Sequence, residues 1–229
     1  MRVAIIPARG GSKRILKKNI KNFCGEPIIG RVINIVKKSK IFNKIIVSTD
    51  DKKIASIAKK YKAEVPFVRP SNLANDKAAT LDVIVHAVKW LKSQGNKPTE
   101  VCCIYPTAPL TQIKDLKNSL KELKTGKWNY VFSATSFGYP IFRALRKDNK
   151  NNLKTVFSNK INNRSQDLET TFHDAGQFYW ANTKTWINKK KIFNSKSKMI
   201  LLPRWRVQDI DTIDDWKKAE IIFKLLKKN

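Results

Sequence analysis

Acidic residues are scarce in this 229-residue chain: 18 Asp and Glu stand against 47 Lys and Arg, a formal net charge of +29. So basic a chain points first to an anionic partner, whether nucleic acid, a membrane surface or a phosphorylated substrate. Cysteine is scarcer still. Cys24, Cys102 and Cys103 are odd in number and form no CxxC pair, which argues against a disulfide framework and a zinc site and suits a reducing cytoplasm. No apolar run approaches the ~20 residues of a membrane span. The opening Met-Arg-Val-Ala-Ile-Ile-Pro lacks the longer apolar region of a signal peptide. With 41% hydrophobic and 10% aromatic residues, the chain has enough apolar surface to fold, so it is not a disordered protein.

The basic excess is mostly lysine: 37 Lys against 10 Arg, alongside 19 Asn and 25 Ile. Such a bias is what an AT-rich genome drifts towards, whereas groove-reading proteins favour the planar fork of Arg. No nucleic-acid-binding motif is present, and an acid-rich segment near the C-terminus would repel a phosphate backbone. A specific nucleic-acid partner is therefore not expected.

Short apolar runs alternate with helical spacing along the chain. Strands are expected at Val3–Ile6, Lys44–Ser48, Glu64–Val68, Val101–Tyr105 and Tyr130–Ala134. Helices are expected at Pro27–Val36, Asp51–Tyr61, Ala78–Leu91 and Ile113–Leu123. This is an α/β pattern, a mainly parallel sheet flanked by helices, whose ligands bind at the carboxyl ends of the strands. From 147 to 167 Lys, Asn, Asp and Ser dominate, as in a solvated insertion or a projecting arm. Order returns at Gly176–Ala181, Met199–Leu202 and a closing helix, Asp214–Leu226. One domain spans 1–229.

Four segments carry chemistry. Ala8-Arg9-Gly10-Gly11-Ser12-Lys13-Arg14 follows the first strand, with Lys17, Lys18 and Asn19 close behind. Paired glycines let the backbone approach a ligand and aim amides at it, so the loop reads as a phosphate site or, more simply, a surface turn. It is neither a Walker loop nor a GxGxxG fingerprint. Asp209-Ile210-Asp211 concentrates carboxylates in a chain that has few: four of the 18 acids fall within 209–215. Residues two apart on extended backbone share a face, and two such carboxylates suit Mg2+. Asp214 and Asp215 read instead as first-turn acids behind a Thr212 N-cap.

The turn Tyr105-Pro106-Thr107-Ala108-Pro109 ends the fourth expected strand, where Thr107 would face the crevice. Arg164-Ser165-Gln166-Asp167 and His173-Asp174-Ala175-Gly176-Gln177-Phe178-Tyr179-Trp180 bring together amide, guanidinium and aromatic groups of the kind that bind sugars. His173 is open between a functional and a structural role, and His86 reads as structural. Arg69 and Asp76 form a smaller group: Arg69 suits a ribose or phosphate, or a surface ion pair. Together these parts describe a nucleotidyl transferase acting on a sugar.

The segments Ile6-Pro7-Ala8-Arg9-Gly10-Gly11-Ser12-Lys13, Lys18-Asn19, Pro106-Thr107-Ala108-Pro109-Leu110 and Asp209-Ile210-Asp211 resemble the signatures of the acylneuraminate cytidylyltransferases, nearly end to end. The 164–169, 173–180 and 206–211 segments and Cys102–Tyr105 look most like the branch of that family that acts on pseudaminic acid. The resemblance implies a Rossmann-like nucleotidyltransferase fold. It implies condensation of CTP with a nine-carbon sugar acid to a CMP-sugar and pyrophosphate, with Mg2+, for glycosylation of surface structures such as flagellin. Legionaminic, sialic and 3-deoxy-octulosonic acids are the alternative acceptors.

By position, the resemblance implies that Arg9, Gly10, Gly11, Ser12, Lys13, Lys18 and Asn19 hold the phosphates. Ala8, Arg69 and Thr80 would meet the cytidine part, and Asp209 and Asp211 the metal, with Arg9 and Lys18 sharing the catalysis. Tyr105, Thr107, Arg164, Gln166, Asp167, His173, Gln177 and Tyr179 would line the sugar site. The segment near 140–170 corresponds to the family's dimerisation arm, which implies a homodimer. Many sialic acid enzymes carry Gln where Tyr105 stands and Arg where Thr111 stands, so the resemblance points away from sialic acid itself. Leu16 replaces a common proline in the nucleotide loop.

Overall fold

In the computed structural model, which describes residues 1–228, six strands form one sheet. They are β1 (Arg2–Pro7), β4 (Lys44–Ser48), β5 (Glu100–Ile104), β6 (Tyr130–Ser136), β9 (Phe172–Asn182) and β10 (Ser197–Leu201). The short pairs β2 (Asn22–Phe23) with β3 (Glu26–Pro27), and β7 (Leu145–Lys147) with β8 (Leu153–Thr155), stand apart as two-stranded sheets. The sheet order is β10-β6-β9-β5-β1-β4, and only β9 runs against its neighbours. Among the described residues six α-helices complete the fold: α1 (Ile28–Ser39), α2 (Lys52–Lys60), α3 (Thr80–Ser93), α4 (Ile113–Lys124), α5 (Thr183–Ile187) and α6 (Ile213–Lys228). This is the expected mainly parallel sheet flanked by helices.

Strand alternation sends side chains into two cores. Ala4, Ile6, Cys102, Ile104 and Trp180 pack against α1, α2 and α4. Val3, Ile5, Val101, Cys103 and Tyr179 pack against α3 and Trp186. Both faces are thus buried, which explains why these strands read as continuous apolar runs. Adjacent Cys102 and Cys103 occupy opposite cores, and burial raises both thiol pKa values. A third cluster, Ile15, Phe23, Ile28, Ile210, Trp216 and Ala219, packs the tail of the glycine loop against the start of α6.

The expected strand at Glu64–Val68 is a correction. That segment makes only isolated bridges, Ile46 with Glu64 and Thr49 with Val68. Pro66 lies between them and has no N–H to extend a ladder. Asp51 lies just outside α2 as its N-cap, accepting from Lys53 N at 2.7 Å and Ile54 N at 2.9 Å. The insertion between β6 and β9 carries the β7–β8 pair, a single turn at Ile141–Arg143 and a second at Ser165–Asp167. Phe142 and Phe157 meet edge-on at 5.4 Å, and Arg143 donates to the Asn163 carbonyl at 2.9 Å, so the insertion has its own internal packing.

Candidate active site

A cavity of about 580 Å3 opens where the carboxyl ends of β1 and β5 meet the loop before α6. Its lining includes Arg9, Ser12, Lys13, Arg14, Lys18, Asn19, Arg69, Asp76, Thr80, Tyr105, Thr107 and Asp209. The basic loop, the Tyr105–Thr107 turn and the first of the two paired aspartates therefore share one space, although they span two hundred residues of sequence.

The glycine loop is held from below. Ala8 is buried and donates its N–H to the Ser48 carbonyl at 2.9 Å. Gly10 donates to Asp50 Oδ1 at 3.0 Å, and the buried Asn19 amide donates to the Arg9 carbonyl at 2.9 Å. Asn19 thus shapes the loop through its backbone. Gly11 faces open space. A Cβ on Gly10 would lie 2.9 Å from Asp51 Cβ, and Asp51 caps α2. Gly10→Ala is therefore expected to disturb that cap, costing about 1 kcal/mol and lowering the melting midpoint by about 2–4 °C. A melting curve identical to wild type would refute the close approach.

The acidic segment is anchored by what lies between and beyond its two carboxylates. Ile210 is fully buried in the third cluster, which fixes Asp209 and Asp211 on either side of it. Lys18 Nζ donates to the Ile210 carbonyl at 2.5 Å and lies 3.4 Å from Asp211 Oδ1. Arg14 pairs with Asp211 at 2.7 Å. Asp215 Oδ2 accepts from Asp211 N, Thr212 N and Thr212 Oγ1, and Thr212 Oγ1 accepts from Asp215 N in return. Thr212 is thus the expected N-cap, and with Asp215 it closes a capping box that also holds the Asp211 backbone; these bonds push the Asp215 carboxyl below its usual range. The Asp209 carboxyl is pushed up, by desolvation in the concave wall first and by Asp211 second, against a lowering by Lys18.

Arg206 was not among the expected site residues, yet it fixes the approach to this segment. It is buried, and its fork holds Asp115 at 2.5 and 3.2 Å. Asp115 in turn accepts from Gln112 N at the start of α4. The one sequence signal was Asp115, an acid three residues after Gln112 at the start of an expected helix; nothing local marked Arg206.

Arg69 is buried rather than at a surface ion pair. It donates through Nε to Ser48 Oγ at 3.0 Å and through Nη2 to the Ser48 carbonyl, and burial lowers its pKa to about 10. Thr80 Oγ1 and the Tyr105 hydroxyl lie 2.9 Å apart, and burial pushes the Tyr105 phenol up to about 12. Tyr179 meets Tyr105 edge-on, is almost fully buried, and donates to Asp174 Oδ2; burial raises its pKa strongly. Gln177 is buried too, accepting from Thr111 Oγ1 at 3.0 Å and donating to the Arg206 carbonyl at 3.3 Å. Both side chains thus support the wall behind the cavity rather than line it.

His173 lies outside this cavity. It stacks edge-on with Phe137 and lines a second space of about 420 Å3 with Phe132, Asp174, Phe193 and Met199. A bulge in β9 around Gly176 separates it from Tyr179 and turns Asp174 back towards that hydroxyl. Arg164, Gln166 and Asp167 are exposed on the insertion, away from the cavity of their own chain. His86 meets Phe67 edge-on, and burial lowers its pKa.

Residues 3–226 match the cytidylyltransferase family model. A pseudaminic acid cytidylyltransferase of Campylobacter jejuni is 43% identical over 224 residues, 97% of this chain and 96% of that one. The CMP-N,N'-diacetyllegionaminic acid synthase of Legionella pneumophila is 30% identical over 97% of this chain and 96% of that one. Among solved structures, CMP:2-keto-3-deoxy-manno-octonic acid synthetase complexed with CTP superposes with a TM-score of 0.72 at 13% identity, covering 98% of this chain and 99% of that one. Matched nearly end to end in sequence and alike in fold, this chain is an enzyme of the cytidylyltransferase family.

Proposed function

We propose that the chain condenses CTP with pseudaminic acid, giving CMP-pseudaminic acid and pyrophosphate. The observation that carries this reading is the single cavity joining a cationic glycine loop, the Asp209 wall and the Tyr105–Thr107 turn. The 43% identical relative with that name supports the choice of sugar. Arg9, Ser12, Lys13, Lys18 and the Gly11 amide take the triphosphate, while the Gly10 amide is committed to Asp50 and shapes the loop from behind. Arg69 and Thr80 flank the cytidine part, with Ala8 buried behind them, and Tyr105 and Thr107 face the sugar acid. The acceptor hydroxyl oxygen attacks the α-phosphorus, the bond from that phosphorus to the bridging oxygen breaks, and pyrophosphate leaves with its electrons. The hydroxyl proton passes to water.

Asp209 and Asp211 fit Mg2+. Among the described residues no group of three or more His, Cys, Asp or Glu forms a metal cluster. A hard cation that draws its other oxygens from phosphates and water needs none. Among the described residues Asp209 makes no ion pair of its own, and the nearby Lys18 and Arg14 only partly offset the desolvation and the Asp211 charge that raise its carboxyl. When bound, the ion supplies positive charge to the developing phosphoryl anion.

A homodimer is part of this reading. Tyr139, Leu145 and Leu153 on the insertion, and Phe193 and Leu201 near β10, are large apolar side chains exposed on one chain, as at an interface. In such a pair Arg164, Gln166, Asp167 and His173 serve the sugar end of the partner's cavity. Placement in the cytoplasm rests on the three free thiols; among the described residues no helix is long and apolar enough to cross a membrane.

Pyrophosphate release, followed with CTP and each sugar acid in turn, tests the substrate. Pseudaminic acid is expected to give the highest kcat/KM. No release with it, beside brisk release with legionaminic, sialic or 3-deoxy-octulosonic acid, would overturn the assignment.

A further inference from the structure

Arg9 and Lys13, the two cations at the mouth of the glycine loop, already share an anion. Arg9 Nη1 lies 2.6 Å from Asp76 Oδ1 and Lys13 Nζ lies 2.5 Å from Asp76 Oδ2. These two cations hold the Asp76 carboxyl below its usual range. Asp76 belongs to the 70–79 strap between the buried Arg69 and the start of α3. The remaining hydrogen bonds within that strap are local: Leu73 N to Pro70 O, Ala74 N to Ser71 O, Ala78 N to Asn75 O, Lys77 N to Asn75 Oδ1 and Asn75 Nδ2 to Asn72 O. Among the described residues, Asp76 is the one polar tie from the middle of the strap to the rest of the fold. Leu73, Asn75, Asp76 and Ala78 nevertheless line the cavity, so the strap forms one of its walls.

We infer that Asp76 competes with the triphosphate of CTP for Arg9 and Lys13, and that its displacement frees the middle of the 70–79 strap from the glycine loop. This rests on the phosphate-binding role given above to Arg9 and Lys13. A polyphosphate reaching both cations arrives beside a carboxylate of the same sign, and the like charges repel. Only two exposed ion pairs have to break, and exposed pairs are weak. The strap is thereby closed by a contact that substrate charge itself undoes. A neutral nucleoside brings no charge to contest the two pairs and binds with the strap still tied.

Calorimetric titration of CTP and of cytidine, without divalent cations, into wild type, Asp76→Asn and Arg9→Gln tests this. Asn keeps the size of the side chain and removes its charge. Asp76→Asn is expected to bind CTP about three- to tenfold more tightly, with cytidine affinity unchanged. CTP affinity that is unchanged or weaker in Asp76→Asn would overturn the inference, because Asp76 would then orient the two cations rather than compete for them. Equal tightening of cytidine would also overturn it, since Asp76 would then restrain the strap against any ligand rather than compete for the two cations. The Arg9→Gln arm separates the two levels. If that variant binds CTP like wild type, the phosphate role itself falls. If it weakens CTP while Asp76→Asn fails to tighten it, the phosphate role stands and the competition alone is refuted.

Discussion

Asp209→Asn is expected to lower kcat by about a thousandfold while the protein melts at or slightly above the wild-type midpoint. The rate effect follows from removing one of the two carboxylates that fit Mg2+: several kcal/mol of charge stabilisation are lost from the transition state, at about 1.4 kcal/mol per tenfold. The stability effect has the opposite sign. The Asp209 carboxyl is raised in the folded chain, so its ionised form is disfavoured by folding. That small cost is present above the folded pKa and vanishes as pH falls below it. Asn removes the charge at neutral pH and with it the cost. Asp211→Asn is expected to lose a comparable factor in rate. It also loses its exposed pair with Arg14 and its partly buried contact with Lys18, worth at most about 1 kcal/mol. Steady-state rates and melting curves on both variants decide this. Near-normal turnover in both would remove the pair from the mechanism.

Asp115→Asn gives the largest expected loss of stability. It leaves the Arg206 guanidinium buried without its counter-charge, at a cost of about 3–5 kcal/mol. In a chain of this size that lowers the melting midpoint by about 10 °C. The damage reaches the active site, because Arg206 stands three residues before Asp209, and its carbonyl is held by Gln177. Replacing both partners by apolar side chains of similar volume, Asp115→Leu with Arg206→Met, is expected to recover much of the loss, since no charge is then stranded. If the double variant melts lower than Asp115→Asn alone, the pair is more than two mutually compensating charges.

What was legible in the sequence was what is local. The glycine loop, the acidic run and the alternation of strand and helix each depend on neighbours along the chain. Positive charge, the most conspicuous bulk property, was a poor guide; the acids were informative because few are idle. Asp76, Asp115, Asp211 and Asp215 each hold named partners. What was not legible depends on distance. Arg206 and Asp115 are 91 positions apart, and no periodicity links them. Gln177 and Tyr179 carry sugar-like chemistry, but strand alternation and the β9 bulge turn them into supports of the wall. Glu64–Val68 has strand composition but for one proline. His173 and the 164–167 group lie on the far side of that bulge, where a single chain gives them no shared cavity with Arg9.

The bulged pairing of β6 with β9 has one more consequence. The strands are antiparallel, and Ser136 pairs with Phe172, so the insertion leaves the sheet and re-enters it at neighbouring points about 5 Å apart. Its ends meet whatever it contains. Doubling a loop whose ends are already closed costs only about 0.6 kcal/mol. The segment from 137 to 171 can therefore lengthen, shorten or be exchanged without changing the register of a single strand that carries the nucleotide chemistry. The insertion and the strands that frame the cavity are thus parts of the chain that can change independently of each other.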